Sequence, residues 1–160
     1  MHADLIWKDF EKTNPKLAKA GHALLHQFGI GLAFIATTRK DGGPRLHPCC
    51  PLLDDGRLYV FITGASPKRH DLARDGRFAL HSFPPEANDD EFFCAGKAHE
   101  VHDVAVRTAV AAKAKHNVRD DEVLFELRLD RALHTTWVNP RQPNTYPVHT
   151  KWRPDLAGRR

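Results

Sequence analysis

The sequence has only three cysteines, no long apolar run and none of the common motifs of hydrolytic catalysis. Cys49, Cys50 and Cys94 are odd in number and two are adjacent, which excludes a complete disulfide framework and points to reduced thiols. No stretch approaches the roughly 18–20 apolar residues that cross a bilayer, and the opening MHADLIWKDFEK lacks the basic-then-apolar order of a secretory signal. A cytoplasmic protein without a membrane partner is expected. Nucleophilic hydrolysis has no support, because Gly-x-Ser-x-Gly and catalytic-cysteine motifs are missing. Gly29-Ile30-Gly31 precedes an extended stretch and lacks the third glycine and the helix of a dinucleotide fingerprint.

The eleven histidines raise the question of a metal. Zinc hooks pair two cysteines across about two to four residues, and a zincin needs His-Glu-x-x-His on a helix. Neither His47-Pro48-Cys49-Cys50 nor His99-Glu100-Val101-His102 has such spacing, so no metal site is expected.

What is present is an ordinary globular composition, 41% hydrophobic and 28% charged, over 160 residues, enough for one domain with its own core. The net charge of +4 is interspersed until the tail, where Lys151, Arg153, Arg159 and Arg160 accumulate. This modest excess suits an anionic small ligand at least as well as nucleic acid, which a basic stripe joined to a binding motif would signal more convincingly, and no nucleic-acid partner is expected.

Leu17, Ala20, Leu24 and Phe28 are spaced as on a helix, and Asn14-Pro15 supplies a cap and a first-turn proline, so two short helices ending at Gly29 are predicted. GLAFIATT, RLHPCCPLL and RLYVFIT follow with DGGP and Asp54-Asp55-Gly56 between them, which predicts an antiparallel meander. Ser66, Pro67 and Gly76 bound a helix of about two turns. RFALHSF and EFFCAGKAHEV are strands, the second with a bulge or bend at Gly96, and Asp103 caps an alanine-rich helix reaching about His116. VLFELRL and ALHTTWV give two more strands separated by Asp130-Arg131, and the last twenty residues are irregular. About seven strands with peripheral helices predict a mainly β, α+β fold, an antiparallel split barrel. Pro48 and Pro51 leave the second strand with one side free of ladder pairing.

Taken together, GLAFIATTRKDGGPRLHP, GRLYVFIT, SPKRHDLARDGRFAL and DDEFFCAGKAHEVHD resemble the flavin-binding split-barrel family related to pyridoxamine 5'-phosphate oxidase. The likeness covers roughly residues 29–103 and, more weakly, the tail. It implies a homodimer that binds flavin mononucleotide (FMN), or in some branches a deazaflavin or haem, in a cleft between subunits. It implies an oxidoreductase acting on a small-molecule substrate, with a flavin carrier or ligand sensor as the non-catalytic alternative. The arginine and histidine that bind substrate in pyridoxamine phosphate oxidase have no match in the C-terminal residues, so the substrate stays open.

The residues that would hold the cofactor follow the same segments. Ser66 and Lys68 begin a helix, where unpaired N–H groups and the dipole favour a phosphate, and Arg69 adds a second cation. The bland alternative is a helix cap and a solvated lysine. Ile62 and Thr63 end the preceding strand, and Thr63 offers a hydroxyl. Arg45 and His47 lie two apart on one strand face, with Pro48 and Cys49 along the flavin ring. His47 stands where a second arginine is usual in the family, which keeps deazaflavin and haem open beside FMN. His81 faces a flavin edge, a substrate or simply the surface, and Trp152 lies near the cofactor or serves only in packing.

Overall fold

The structure, a computed structural model, describes residues 3–154. Arg159 and Arg160, counted above in the basic tail, lie outside the described residues. Helix α1 (Trp7–Thr13) and helix α2 (Pro15–Leu25) are divided at Asn14, whose side chain accepts a hydrogen bond from the Leu17 N–H (3.2 Å) with Pro15 in the first turn. Strand β1 (Ala33–Thr38) alternates inward and outward residues and forms a hairpin with β2 (Pro44–Cys49).

The expected three-strand meander does not continue. After a single residue, Cys50, the chain becomes β3 (Pro51–Asp54), which pairs with β4 (Arg57–Thr63). Helix α3 (Pro67–Arg74), β5 (Arg77–Ser82), β6 (Glu91–Glu100), α4 (Val104–Lys113), β7 (Glu122–Val138) and β8 (Tyr146–Trp152) complete the chain. The sheet runs β2-β1-β5-β6-β7-β4-β3, all antiparallel, with β8 on the free stretch of β7. β2 and β3 therefore stand at opposite ends of the sheet path while remaining joined through Cys50. Pro51 has no N–H to carry the β2 ladder onward, so the chain bends there and closes the barrel covalently.

Two further expectations are corrected. The strands around Asp130-Arg131 form one 17-residue strand, because pairing with β6 resumes after one extra residue: Ala95 faces Arg131, Gly96 faces Leu129, and Asp130 is the bulge. Gly96 sits opposite, and a Cβ there would lie 1.9 Å from the Arg128 carbonyl oxygen. The tail is not irregular, since its prolines fall at a turn and on the edge strand β8, where a missing N–H is tolerated.

The interior holds Phe10, Leu17, Leu25, Ile35, Leu80, Phe92, Phe125, Leu127 and Leu129. Trp7 meets Phe10 (5.2 Å between centroids) and Phe92 (5.9 Å), so α1 packs an aromatic cluster into the core. Asp103 caps α4 through the N–H groups of Ala105 and Val106, and α4 brings Val110 onto Tyr59, Phe61 and Leu124.

Closure at Cys50 depends on Gly31, because a Cβ there would lie 1.7 Å from the Pro51 carbonyl oxygen. Gly31→Ala should cost about 2 kcal/mol or more, as backbone must shift at the bend. Urea denaturation should show a lowered midpoint, and a midpoint equal to the parent's would contradict the tight contact.

Candidate cofactor site at the start of helix α3

β4 ends at Thr63, and a tight turn follows in which the Ser66 N–H donates to the Thr63 carbonyl (2.9 Å). Ser66 occupies the N-cap position with extended backbone, yet its hydroxyl makes no capping hydrogen bond. The start of α3 thus carries an uncapped hydroxyl beside the positive end of the helix dipole. Lys68 reaches toward β2, its Nζ 3.4 Å from the Pro48 carbonyl oxygen. Barrel closure produces this meeting, since β4, which leads into α3, lies across the bend from β2.

Arg45 is engaged beneath the helix. Its Nε donates to Asp71 (2.7 Å), which also accepts from the Thr37 hydroxyl (2.8 Å) and from Arg74 (3.4 Å). Asp71 is 3% exposed. Burial pushes its carboxyl pKa up, but the hydrogen bonds from Arg45 and Thr37 and the charge of Arg45 outweigh that and hold it below the ordinary carboxylate range. Arg69 faces Glu100 (3.7 Å), and its Nε is buried without a hydrogen-bond partner among the described residues.

The other predicted residues divide between the two faces of the sheet. His47 pairs with Ile35 and Arg45 with Thr37, so both share the inward face, whereas Pro48 pairs with Phe34 on the outward face. Cys49 is buried, which pushes its thiol up to about 12 against the opposing charge of Lys68, and all three cysteines are free. Ile62 is 1% exposed and packs in the core, so it supports the site only through its neighbour Thr63.

His81 continues the outward row two strands from Pro48, through Phe34. Its Nδ1–H donates to the Ser82 carbonyl (2.7 Å), and its Nε2 lies 3.8 Å from Glu91. With Trp137, Glu91 and Arg141 it lines a cavity of about 420 Å³ below the β7–β8 turn. Trp152 ends β8. It sits in the core against Phe10 (4.6 Å), its indole N–H donating to Thr13 (2.9 Å), five strands along the sheet from β2. An indole anchored by a strand pair on one side and α1 on the other serves packing.

Asp71 and Arg119 were not legible in the sequence. Arg119 Nη2 donates to the Thr63 hydroxyl (3.1 Å), although the two are 56 residues apart. Only the β4–β7 pairing, in which Thr63 faces Glu122, brings them together.

An antiparallel sheet closed by one bent segment, with a cationic corner where β4 turns into α3, defines a split β-barrel. The chain belongs to the pyridoxamine 5'-phosphate oxidase family, whose profile matches residues 19–136. Solved structures with the same fold include a haem-binding protein from Mycobacterium smegmatis (18% identity, TM-score 0.58), of which this chain spans 57% with 81% of its own length. They also include the haem storage protein HutZ from Vibrio cholerae (13%, TM-score 0.57, covering 84% of this chain and 93% of that one). An F420 reductase is a third (17%, TM-score 0.51, covering 63% and 87%). No curated protein matches the sequence. Among the described residues no helix is long and apolar enough to cross a membrane, and no group of three or more metal-ligating side chains converges.

Because the Asp71 carboxyl is held below its ordinary range, its stabilising effect is complete above the unfolded value of about 4 and is lost as pH falls through the folded one. Asp71→Asn should therefore destabilise by about 2–3 kcal/mol at neutral pH. The gap to the parent should shrink in denaturation curves taken below about pH 4. A gap independent of pH would remove the ion pair from the account.

Proposed function

We propose that the protein is a homodimeric FMN-binding oxidoreductase acting on a small molecule in the cytoplasm, with the cofactor phosphate held at the start of α3. One observation carries this reading: of Arg45, Lys68, Arg69 and Arg119, Lys68 alone has no carboxylate partner among the described residues. A cation beside an uncapped Ser66 and a helix start fits a phosphate by charge and by donor set. The flavin, when bound, supplies the hydride or electron transfer. The chain's own residues bind and orient it: Ser66 and Lys68 fix the phosphate, and Asp71 keeps β2 and α3 in register. Pro48 offers an apolar surface in line with Phe34 and His81.

The dimer is supported by the outward face of β2, which pairs on one side only and carries Leu46 at 65% exposure beside Pro44 and Pro48. A second reading, haem or a deazaflavin in place of FMN, draws on the neighbouring structures and on half-exposed His81 beside a cavity of about 420 Å³. The absorbance spectrum of the purified protein separates these cofactors, since a Soret band would replace flavin by haem.

Lys68→Ala should weaken FMN binding about ten- to hundredfold, as expected for loss of a charge-assisted contact. Riboflavin, which lacks the phosphate, is the control and should change little in a fluorescence titration. Equal losses for both ligands would move the phosphate elsewhere. Sedimentation should give twice the chain mass, and a monomer that still binds FMN tightly would refute the shared cleft.

A further inference from the structure

Arg119 belongs to the loop between α4 and β7, and the fold ties that loop to the turn that begins α3. The Gly64 N–H donates to the Asp121 carbonyl (2.8 Å), the Arg119 N–H donates to Glu122 (3.0 Å), and the Arg119 carbonyl accepts from Arg107 (3.0 Å). The backbone on both sides of the guanidinium is therefore fixed. The side chain itself is more than half exposed and spans two partners. Its Nη2 donates to Thr63 (3.1 Å), while its Nε and Nη2 face the Asp121 carboxylate at 3.0 and 3.4 Å.

Thr63 and Ser66 are the two ends of one tight turn, so a guanidinium on the Thr63 hydroxyl stands beside the corner that Lys68 approaches from the β2 side. A second observation places both elements in one neighbourhood. The half-buried Cys50 thiol feels the charges of Lys68 and of Glu122, the residue that faces Thr63 across the β4–β7 ladder. Two cations from separate elements thus border one small region, and the weak link is the exposed Arg119–Asp121 pair, which contributes little on its own.

We infer that Arg119 is a second anion-binding arm of this site, held by Asp121 and exchanged onto the cofactor's phosphate when it binds. The inference rests on the phosphate placement proposed above. A planar guanidinium presents two N–H groups to two phosphate oxygens, which a lysine cannot do, so Arg119 would contribute geometry as well as charge. Asp121 then acts as a competitor for the arm, and removing its charge should strengthen binding.

The test compares Arg119→Ala, Arg119→Lys and Asp121→Asn with the parent and with Lys68→Ala, each titrated with FMN and with riboflavin by fluorescence, after melting curves establish folding. Arg119→Ala should weaken FMN about three- to tenfold and leave riboflavin unchanged, with partial recovery in Arg119→Lys. Asp121→Asn should tighten FMN severalfold, a direction that damage to the loop cannot produce. Unchanged FMN affinity in both Arg119→Ala and Asp121→Asn, with a loss in Lys68→Ala, would overturn the second arm and leave the phosphate site standing. If the parent itself prefers FMN no more than riboflavin, the phosphate site and the arm both fall.

Discussion

Residues 44–54 serve both ends of one sheet, and the rest of the barrel follows from the bend between them at Cys50. A sheet of twisted strands closes when its edges meet, and here the meeting is made by the chain itself instead of a ladder between β2 and β3. The bend brings the Pro51 carbonyl so close to residue 31 that only glycine fits. It also sets α3, which leaves the far end of β4, against β2. Lys68 and Pro48, twenty residues apart, are neighbours for that reason.

Charge at this corner is arranged in layers. The inner layer is internally paired, because Asp71 accepts from Thr37, Arg45 and Arg74 and so binds a helix to two strands in one cluster. Removing one member leaves the others unbalanced, which is why such a cluster resists change even where it adds little net stability. In the outer layer, among the described residues, Lys68 has a carbonyl and no carboxylate as its partner, and Arg119 is held by the exposed Asp121 carboxylate.

Local chemistry was legible in the sequence wherever a single residue type dictates a backbone form. Asn14-Pro15, Asp103 and Gly76 mark their helix ends as written, and Gly76 adopts φ 77°. Gly96 announced an irregularity, although the extra residue lies on its partner strand. The order of strands was not legible, because RLHPCCPLL is extended throughout and its change of partner depends on where β1 and β4 lie. Asp130-Arg131 has the composition of a turn and serves as a bulge, since continued pairing with β6 outweighs local preference. The same limit hid the site's long-range members. Nothing near Asp71 or Arg119 in sequence marks them, and of the two roles open to Trp152 the structure displays its packing against α1.

The inserted residue in β7 also sets the phase of everything beyond it. Up to the bulge, the core takes odd-numbered side chains, Phe125, Leu127 and Leu129; past it the core takes an even one, Ala132. Trp137 owes its outward aim, toward His81 and Glu91, to that half-period slip. Without that bulge, regular alternation through all seventeen residues would turn every side chain past residue 130 to the opposite face. The single extra residue thus lets one continuous strand present both of its segments to the same core.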